Sequence, residues 1–247
     1  MDIFRGFESL PRFERPVVTV GSFDGIHRGH RALLDTLRRG AAALAGESVV
    51  LTFEPHPRIT LGRSEGLRLL NTLAEKRYLL ERSGIDHLLV VTFDEAFSRL
   101  SPYEFVQHCL IGKLGAAALI VGYDHRFGRG NEGNHDFLNR QQFPLRIVEV
   151  PECGVDAAKV SSTVVRRLIA QGEMAQAERL LGHPYPVAGT VRGGVIRPDP
   201  LKLLPPAGSY AVRIGGAPCV AEIASDGAIR IHPHLPDGEV LLTFQPC

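Results

Sequence analysis

The chain has 247 residues, 44% hydrophobic and 22% charged, enough apolar material for one large domain or for a medium domain plus a small one. With 28 basic and 27 acidic residues the net charge is +1, which argues against a polyanion-coating protein and leaves room for a local phosphate pocket. Cys109, Cys153, Cys219 and Cys247 show no C-x-x-C pairing, the N-terminus has no signal-peptide core, and the longest apolar runs are strand-sized. A cytoplasmic protein without disulfides, nucleic-acid partner or membrane partner is expected.

In chain order, "PVVTVGSF" predicts a buried strand, followed by a helix from about His30 that Gly46 closes. "SVVLTFEP" predicts a second strand stopped by Pro55 and Pro57, and "TLAEKRYLLERSG" a helix that exits at Gly84. "DHLLVVTF" predicts a third strand. "SPYEFVQHCLIGKLG" opens with Ser101, Pro102 and Glu104, the pattern of a capping box. "AAALIVGYD" and "LRIVEV" predict two more strands, and "SSTVVRRLIAQG" and "EMAQAERLLG" two final helices. Continuous apolar strands separated by helices indicate an α/β fold with a doubly wound parallel sheet. Pro184 and Pro186 in "LGHPYPVAG" predict a linker; beyond it "YAVRI", "CVAEIA", "AIRIH" and "EVLLTF" predict a small antiparallel β module with an Asp226-Gly227 hairpin turn. The division expected is residues 1–184 and 187–247.

Parallel sheets bind ligands at the carboxyl ends of their strands. "VTVGSFDGIHRGH" places His27 and His30 three apart, as on one face of a first helical turn beside unpaired N–H groups and a positive helix dipole. Gly21 and Gly25 would leave the backbone open to a phosphate or base. Two imidazoles there can donate to phosphate oxygens, more strongly as charge grows in a transition state. A solvated helix start, or a metal set of Asp24, His27 and His30, are the other readings of the same residues. In "VSSTVVRR", Ser161, Ser162 and Thr163 can cap a helix or bind phosphate, and Arg166 one turn on adds a planar fork.

"GSFDGIHRGH", "LTFEPHP", "VGYDHRFGRGNEG" and "VSSTVVRRLIAQGEMAQAERLLGHPYPVAGTV" occur in the order seen in bacterial FAD synthetases, the bifunctional riboflavin kinase/FMN adenylyltransferases. The chain resembles that family over residues 16 to 191. The resemblance implies a Rossmann-like nucleotidylyltransferase domain that makes FAD and pyrophosphate from FMN and ATP with Mg²⁺. It implies His27, His30 and Arg166 as catalytic residues. It implies ATP near Gly21, Ser22, Phe23, Gly29, Ser161, Ser162 and Thr163, and flavin near Phe53, Pro55, His56, Asp124 and Arg126, with no metal ligand from the protein. His125 stands where the family commonly has an aromatic residue, and Asn134 where it often has an acidic one. No Pro-Thr-Ala-Asn string, which serves metal and phosphate in the family's kinase domain, exists in the chain. The tail thus resembles a shortened kinase barrel, and no riboflavin kinase activity is expected. Nucleotidyl transfer to another phosphorylated small molecule, or a non-catalytic flavin- or nucleotide-binding regulator, are the alternatives.

Overall fold

A computed structural model describes residues 1–152, 154–155, 158–232 and 235–245. The sequence's remarks on Cys153 and Cys247 fall outside these residues. Cys109 and Cys219 are free thiols.

The chain divides into two units: the first comprises Met1–Phe23, Gly29–Glu65 and Leu79–Cys153, the second Asp24–Arg28, Gly66–Tyr78 and Gly154–Cys247. The first unit is built on six parallel strands, β1 (Asp2–Arg5), β2 (Val17–Val20), β3 (Ser48–Glu54), β4 (His87–Thr92), β5 (Ala118–Gly122) and β6 (Arg146–Val150). Their order is β1-β4-β3-β2-β5-β6. The doubly wound parallel sheet is present as expected. Strand β1 was not foreseen, because an edge strand with half-exposed residues carries no continuous apolar run.

Alternate strand residues explain the two buried faces. Val18, Val20, Val49, Leu51, Leu89, Val91, Leu119 and Val121 join one core cluster with Phe105, Val106, Cys109 and Leu110. Against the other face runs helix α1 (Arg28–Ala43), which buries Leu33, Leu34, Leu37 and Ala41. A side chain at Gly40 would already touch Val17 Cγ1 at 3.4 Å, so α1 lies close to the sheet there. The buried Thr19 hydroxyl on this face donates to Ile120 O at 2.9 Å, leaving no orphaned group.

In chain order, short helix α2 (Pro57–Thr60) precedes α3 (Leu73–Arg82), and short helices α4 (Glu95–Ser98) and α5 (Pro102–Glu104) follow it. The Ser101 capping box is formed in both directions: Glu104 N donates to Ser101 Oγ at 3.2 Å and Ser101 N to Glu104 Oε2 at 2.9 Å. Beyond it the chain winds as a π-helix, Phe105–Lys113, where an ordinary helix was predicted. Phe105, Val106, Cys109 and Leu110 are its buried residues. Helix α6 (His135–Gln141), also unforeseen, precedes β6.

The second unit contains the antiparallel strand pair β7 (Gly154–Val155) and β8 (Ala158–Lys159), and helices α7 (Ser162–Ala170) and α8 (Met174–Leu181). Six antiparallel strands follow: β9 (Pro186–Arg192), β10 (Val195–Pro198), β11 (Gly208–Ile214), β12 (Ala217–Ile223), β13 (Ile229–His232) and β14 (Gly238–Phe244). They close into a barrel, β10-β13-β12-β11-β14-β9, which leaves no exposed sheet edge. The predicted linker at Pro184 and Pro186 is not one. Tyr185 is fully buried and donates its hydroxyl to Leu203 O at 2.8 Å, and Pro186 opens β9. Proline is tolerated at the first residue of a strand, which is why the Pro-x-Pro signal misleads here.

Among the described residues no helix is long and apolar enough to cross a membrane.

Candidate active site

Strand β2 lies between β3 and β5, so strand order reverses beside it, and the crevice at the carboxyl ends of such strands is the ligand position of open α/β sheets. Gly21 extends the ladder by donating its N–H to Leu51 O at 3.0 Å. The connection to α1 is then strained. Phe23 (φ 47°) and Ile26 (φ 40°) are left-handed although neither is glycine, and both are buried. Such conformations persist only where surrounding contacts over-determine them, and they concentrate at functional sites.

The contacts that hold residues 24–28 are visible within the second unit. Asp24 is buried; its Oδ1 accepts from Asn71 N at 2.9 Å, its Oδ2 pairs with Arg166 Nη2, and its carbonyl accepts from Ser162 Oγ at 2.8 Å. Gly25 N donates to Asn71 Oδ1 at 2.7 Å, Gly25 O accepts from His183 Nε2 at 3.0 Å, and Arg28 Nε donates to Arg179 O at 2.8 Å. Gly25 does not keep a space open for ligand, as the sequence suggested. Its φ is 93° and an added Cβ would stand 2.7 Å from Leu70 Cδ1, so it is required for backbone geometry and close packing.

Helix α1 begins at Arg28, so His27 precedes it and only His30 lies in its first turn, where backbone N–H groups lack intrahelical partners. His27 is buried and His30 packs its ring against Phe23, centroids 5.3 Å apart. Phe23 is itself nearly inaccessible, so its visible role is to set the His30 ring. Ser22 O accepts from Thr52 Oγ1 at 3.4 Å, and Gly29 lies inside α1. The Asp24 carboxylate is committed to Arg166 and Asn71, which leaves it poorly placed to serve a metal; among the described residues no group of three or more His, Cys, Asp or Glu could hold one.

On α7, Ser161 is the N-cap, its Oγ accepting from Val164 N at 3.4 Å, while Thr163 is exposed. Arg166 donates through Nε to Arg68 O at 2.9 Å besides pairing with Asp24. Its guanidinium is thus fixed by two partners on one side.

The residues expected near flavin all lie in the first unit. Phe53, at the end of β3, meets Phe93 edge-on at 5.3 Å and Phe97 at 5.6 Å. After Pro55, His56 caps α2 by accepting from Arg58 N at 3.2 Å. Asp124 and Arg126 are exposed in the loop after β5, with His125 between them stacked on Phe127 (5.5 Å, 24°). Part of His125 reaches solvent, yet burial of its ring pushes its pKa down to about 4 against the opposing pull of Asp124. The neutral His125 ring therefore stacks as an uncharged aromatic. Asn134 caps α6 by accepting from Phe137 N at 2.8 Å, which a carboxylate at that position would also do.

The family model described as FAD synthetase matches residues 10–164, nearly two thirds of the chain. The chain belongs to the FAD synthetase family. It is 35% identical over 198 residues to the bifunctional riboflavin kinase/FMN adenylyltransferase of Escherichia coli K12, covering 78% of this chain and 63% of that one. It is 33% identical over 205 residues to an FAD synthetase of Listeria monocytogenes, covering 81% of each. The chain thus spans less than two thirds of the length of the bifunctional E. coli relative. A solved structure titled macrolide-efflux protein, from Streptococcus pneumoniae, shares the fold over 99% of this chain and 89% of its own, with TM-score 0.84 and 24% identity.

Sequence reasoning missed Asn71, Glu75, His183 and Lys202, whose partners lie far along the chain. Asn71 bridges to Asp24 and Gly25, and among the described residues its buried Nδ2 has no hydrogen-bond acceptor. The only local hint was polar residues inside "LLNTLAEKR", which pattern reading assigns to a solvated helix start.

Proposed function

We propose that this chain is an FMN adenylyltransferase. The phosphate oxygen of FMN attacks the α-phosphorus of ATP in line, the bond to the β-phosphate breaks, and FAD and pyrophosphate leave. Membership of the FAD synthetase family across residues 10–164 carries the reading. Positioning and charge stabilisation suffice for such a transfer, with no covalent enzyme intermediate. Magnesium enters as the counter-ion of the substrate ATP. His27 and His30 donate to the α-phosphate as charge develops, and Arg166 with Ser161, Ser162 and Thr163 holds the departing pyrophosphate. Gly21, Ser22, Phe23 and Gly29 flank the adenosine, while Phe53, Pro55, His56, Asp124 and Arg126 hold FMN. Supply of both substrates fits a cytoplasmic enzyme.

Residues 1–184 form the transferase domain in this proposal, and residues 187–247 a barrel without kinase activity. Between β10 and β11, where phosphate-binding residues would be sought, Leu69 N donates to Leu201 O and Leu203 N to Leu69 O, and Lys202 is buried in an ion pair. That segment is occupied by packing. Chromatography of flavins after incubation with Mg-ATP and FMN tests the transferase: FAD and pyrophosphate are expected, and no FAD under conditions where ATP binds would overturn it. ATP consumption with another phosphorylated acceptor instead would redirect the substrate assignment.

A further inference from the structure

Lys202 lies in the β10–β11 connection, far along the sequence from every residue assigned to the reaction. Its ammonium is completely buried and completely satisfied: Nζ donates to Leu70 O at 2.6 Å, Pro186 O at 2.7 Å and Glu75 Oε2 at 2.8 Å, and lies 4.0 Å from the centre of the Tyr185 ring. Glu75 is equally enclosed, accepting also from Thr72 N at 2.7 Å and from Ala188 N at 2.7 Å. A buried ion pair of this kind is seldom worth its desolvation in stability alone, and one attested use of such pairs is to fix a unique register.

The register fixed here is that of residues 69–75. Leu69 pairs by backbone bonds with Leu201 and Leu203, and Lys202 holds the carbonyl of Leu70. The next residue is Asn71, whose N–H holds Asp24 and whose side-chain oxygen holds Gly25 N. Asp24 in turn orients Arg166, and the left-handed Ile26 and His27 follow at once. Four links thus run from a barrel ammonium to the loop that presents His27, all inside the second unit.

We propose that Lys202, with Glu75, is a positioning residue for nucleotidyl transfer: the barrel sets the His27 loop and Arg166 through Leu70 and Asn71. This gives the barrel a role in the first reaction whether or not it performs one of its own. Burial lowers the pKa of Lys202 and Glu75 opposes the shift, so the pair is best removed as a pair.

The variant Lys202→Met/Glu75→Gln eliminates both charges together and keeps an acceptor oxygen for one of the two backbone donors, Thr72 N or Ala188 N. Hydrogen exchange measured by mass spectrometry on the full chain reads the loop without assuming any activity. Amides of residues 21–30, Gly25 among them, are expected to exchange about tenfold faster, the loss of roughly one buried hydrogen bond, with β11 and β12 unchanged. Ile231→Val, a barrel-core change that touches none of these links, should leave residues 21–30 as they are. In steady-state FAD formation, which rests on the function proposed above, the double variant should lose about tenfold in kcat with the KM for FMN unmoved. Unchanged loop exchange in the folded double variant overturns the proposal. Should that variant not fold, Lys202→Leu/Glu75→Gln, which likewise leaves no unpaired charge and no donor to Leu70 O, is read by the same criteria. If wild-type protein forms no FAD, the exchange result still decides whether Lys202 sets the loop.

Discussion

In the proposed reaction Arg166 has two tasks. The sequence presented it as a phosphate fork one turn into a helix, and the structure adds that Nε and Nη2 are held by Arg68 O and Asp24. A guanidinium braced on one edge is preorganised to offer its other edge to a phosphate, which an ammonium cannot imitate. Arg166→Lys should therefore raise the KM for ATP by about tenfold with the fold intact; an unaltered KM would reduce Arg166 to a brace for Asp24. His27 and His30 differ in support: His27 is carried by the strained loop, His30 by the first turn of α1 and the Phe23 ring. Replacing either by alanine should lower kcat for FAD formation by about 10²–10³, the cost of removing one donor to developing charge in the proposed reaction. Turnover within threefold of wild type for both, roughly 0.7 kcal/mol, would dismiss them as catalytic groups.

Elements carry the aromatic layer that ends at His125. Phe53 from β3, Phe97 from α4, Phe105 from the π-helix and Phe127 from the loop after β5 form successive ring contacts of 5.6 to 5.9 Å, and His125 stacks on the last. Burial at the end of that layer holds the imidazole neutral down to about pH 4, whereas in the unfolded chain it protonates near 6.5. The unfolded state binds more protons between those values, so this residue's contribution to stability is complete above 6.5 and is lost as pH falls toward 4. His125→Phe keeps a ring in the stack and removes that proton uptake. Thermal melts at pH 7 and pH 5 should show a smaller drop in Tm for the variant than for wild type; equal drops would mean that the ring is not held neutral. The Phe-rich segments were visible in the sequence, but the π-helical winding from Phe105 was not, because its residues satisfy an ordinary helical pattern equally well.

At the scale of the molecule, the closed barrel has a complete hydrophobic interior and no kinase signature. Val187, Val212, Ala221, Ile229 and Leu242 are buried on its inner side, and the tail from Val187 onward contains no asparagine. A phosphoryl transfer to a ribityl hydroxyl needs a positioned polyphosphate and a base at the nucleophile, and the carboxylates here are otherwise engaged or solvated: Asp226 accepts from Ala228 N at 3.0 Å in a hairpin turn, and Asp237 from Gly193 N at 2.9 Å. Riboflavin with Mg-ATP should therefore yield no FMN above background while FMN is converted to FAD. FMN formation from riboflavin at a rate comparable to FAD formation would show that the barrel has built a kinase site of its own.

The sequence by itself determined the parallel sheet, the helix caps at Ser101 and Ser161, the presence of a β module after the last helix and the family to which the chain belongs. Each of these rests on local periodicity, turn chemistry or a contiguous motif, all of which are written in neighbouring residues. Only the tertiary structure decided that Pro186 opens a strand, that Gly25 is needed for its backbone, that Asp24 engages Arg166, and that Lys202 and Glu75 are a buried pair. These depend on partners up to 142 positions apart. A buried charge is tolerated only where folding brings its counter-charge and acceptors to it, and no stretch of neighbouring residues encodes that meeting.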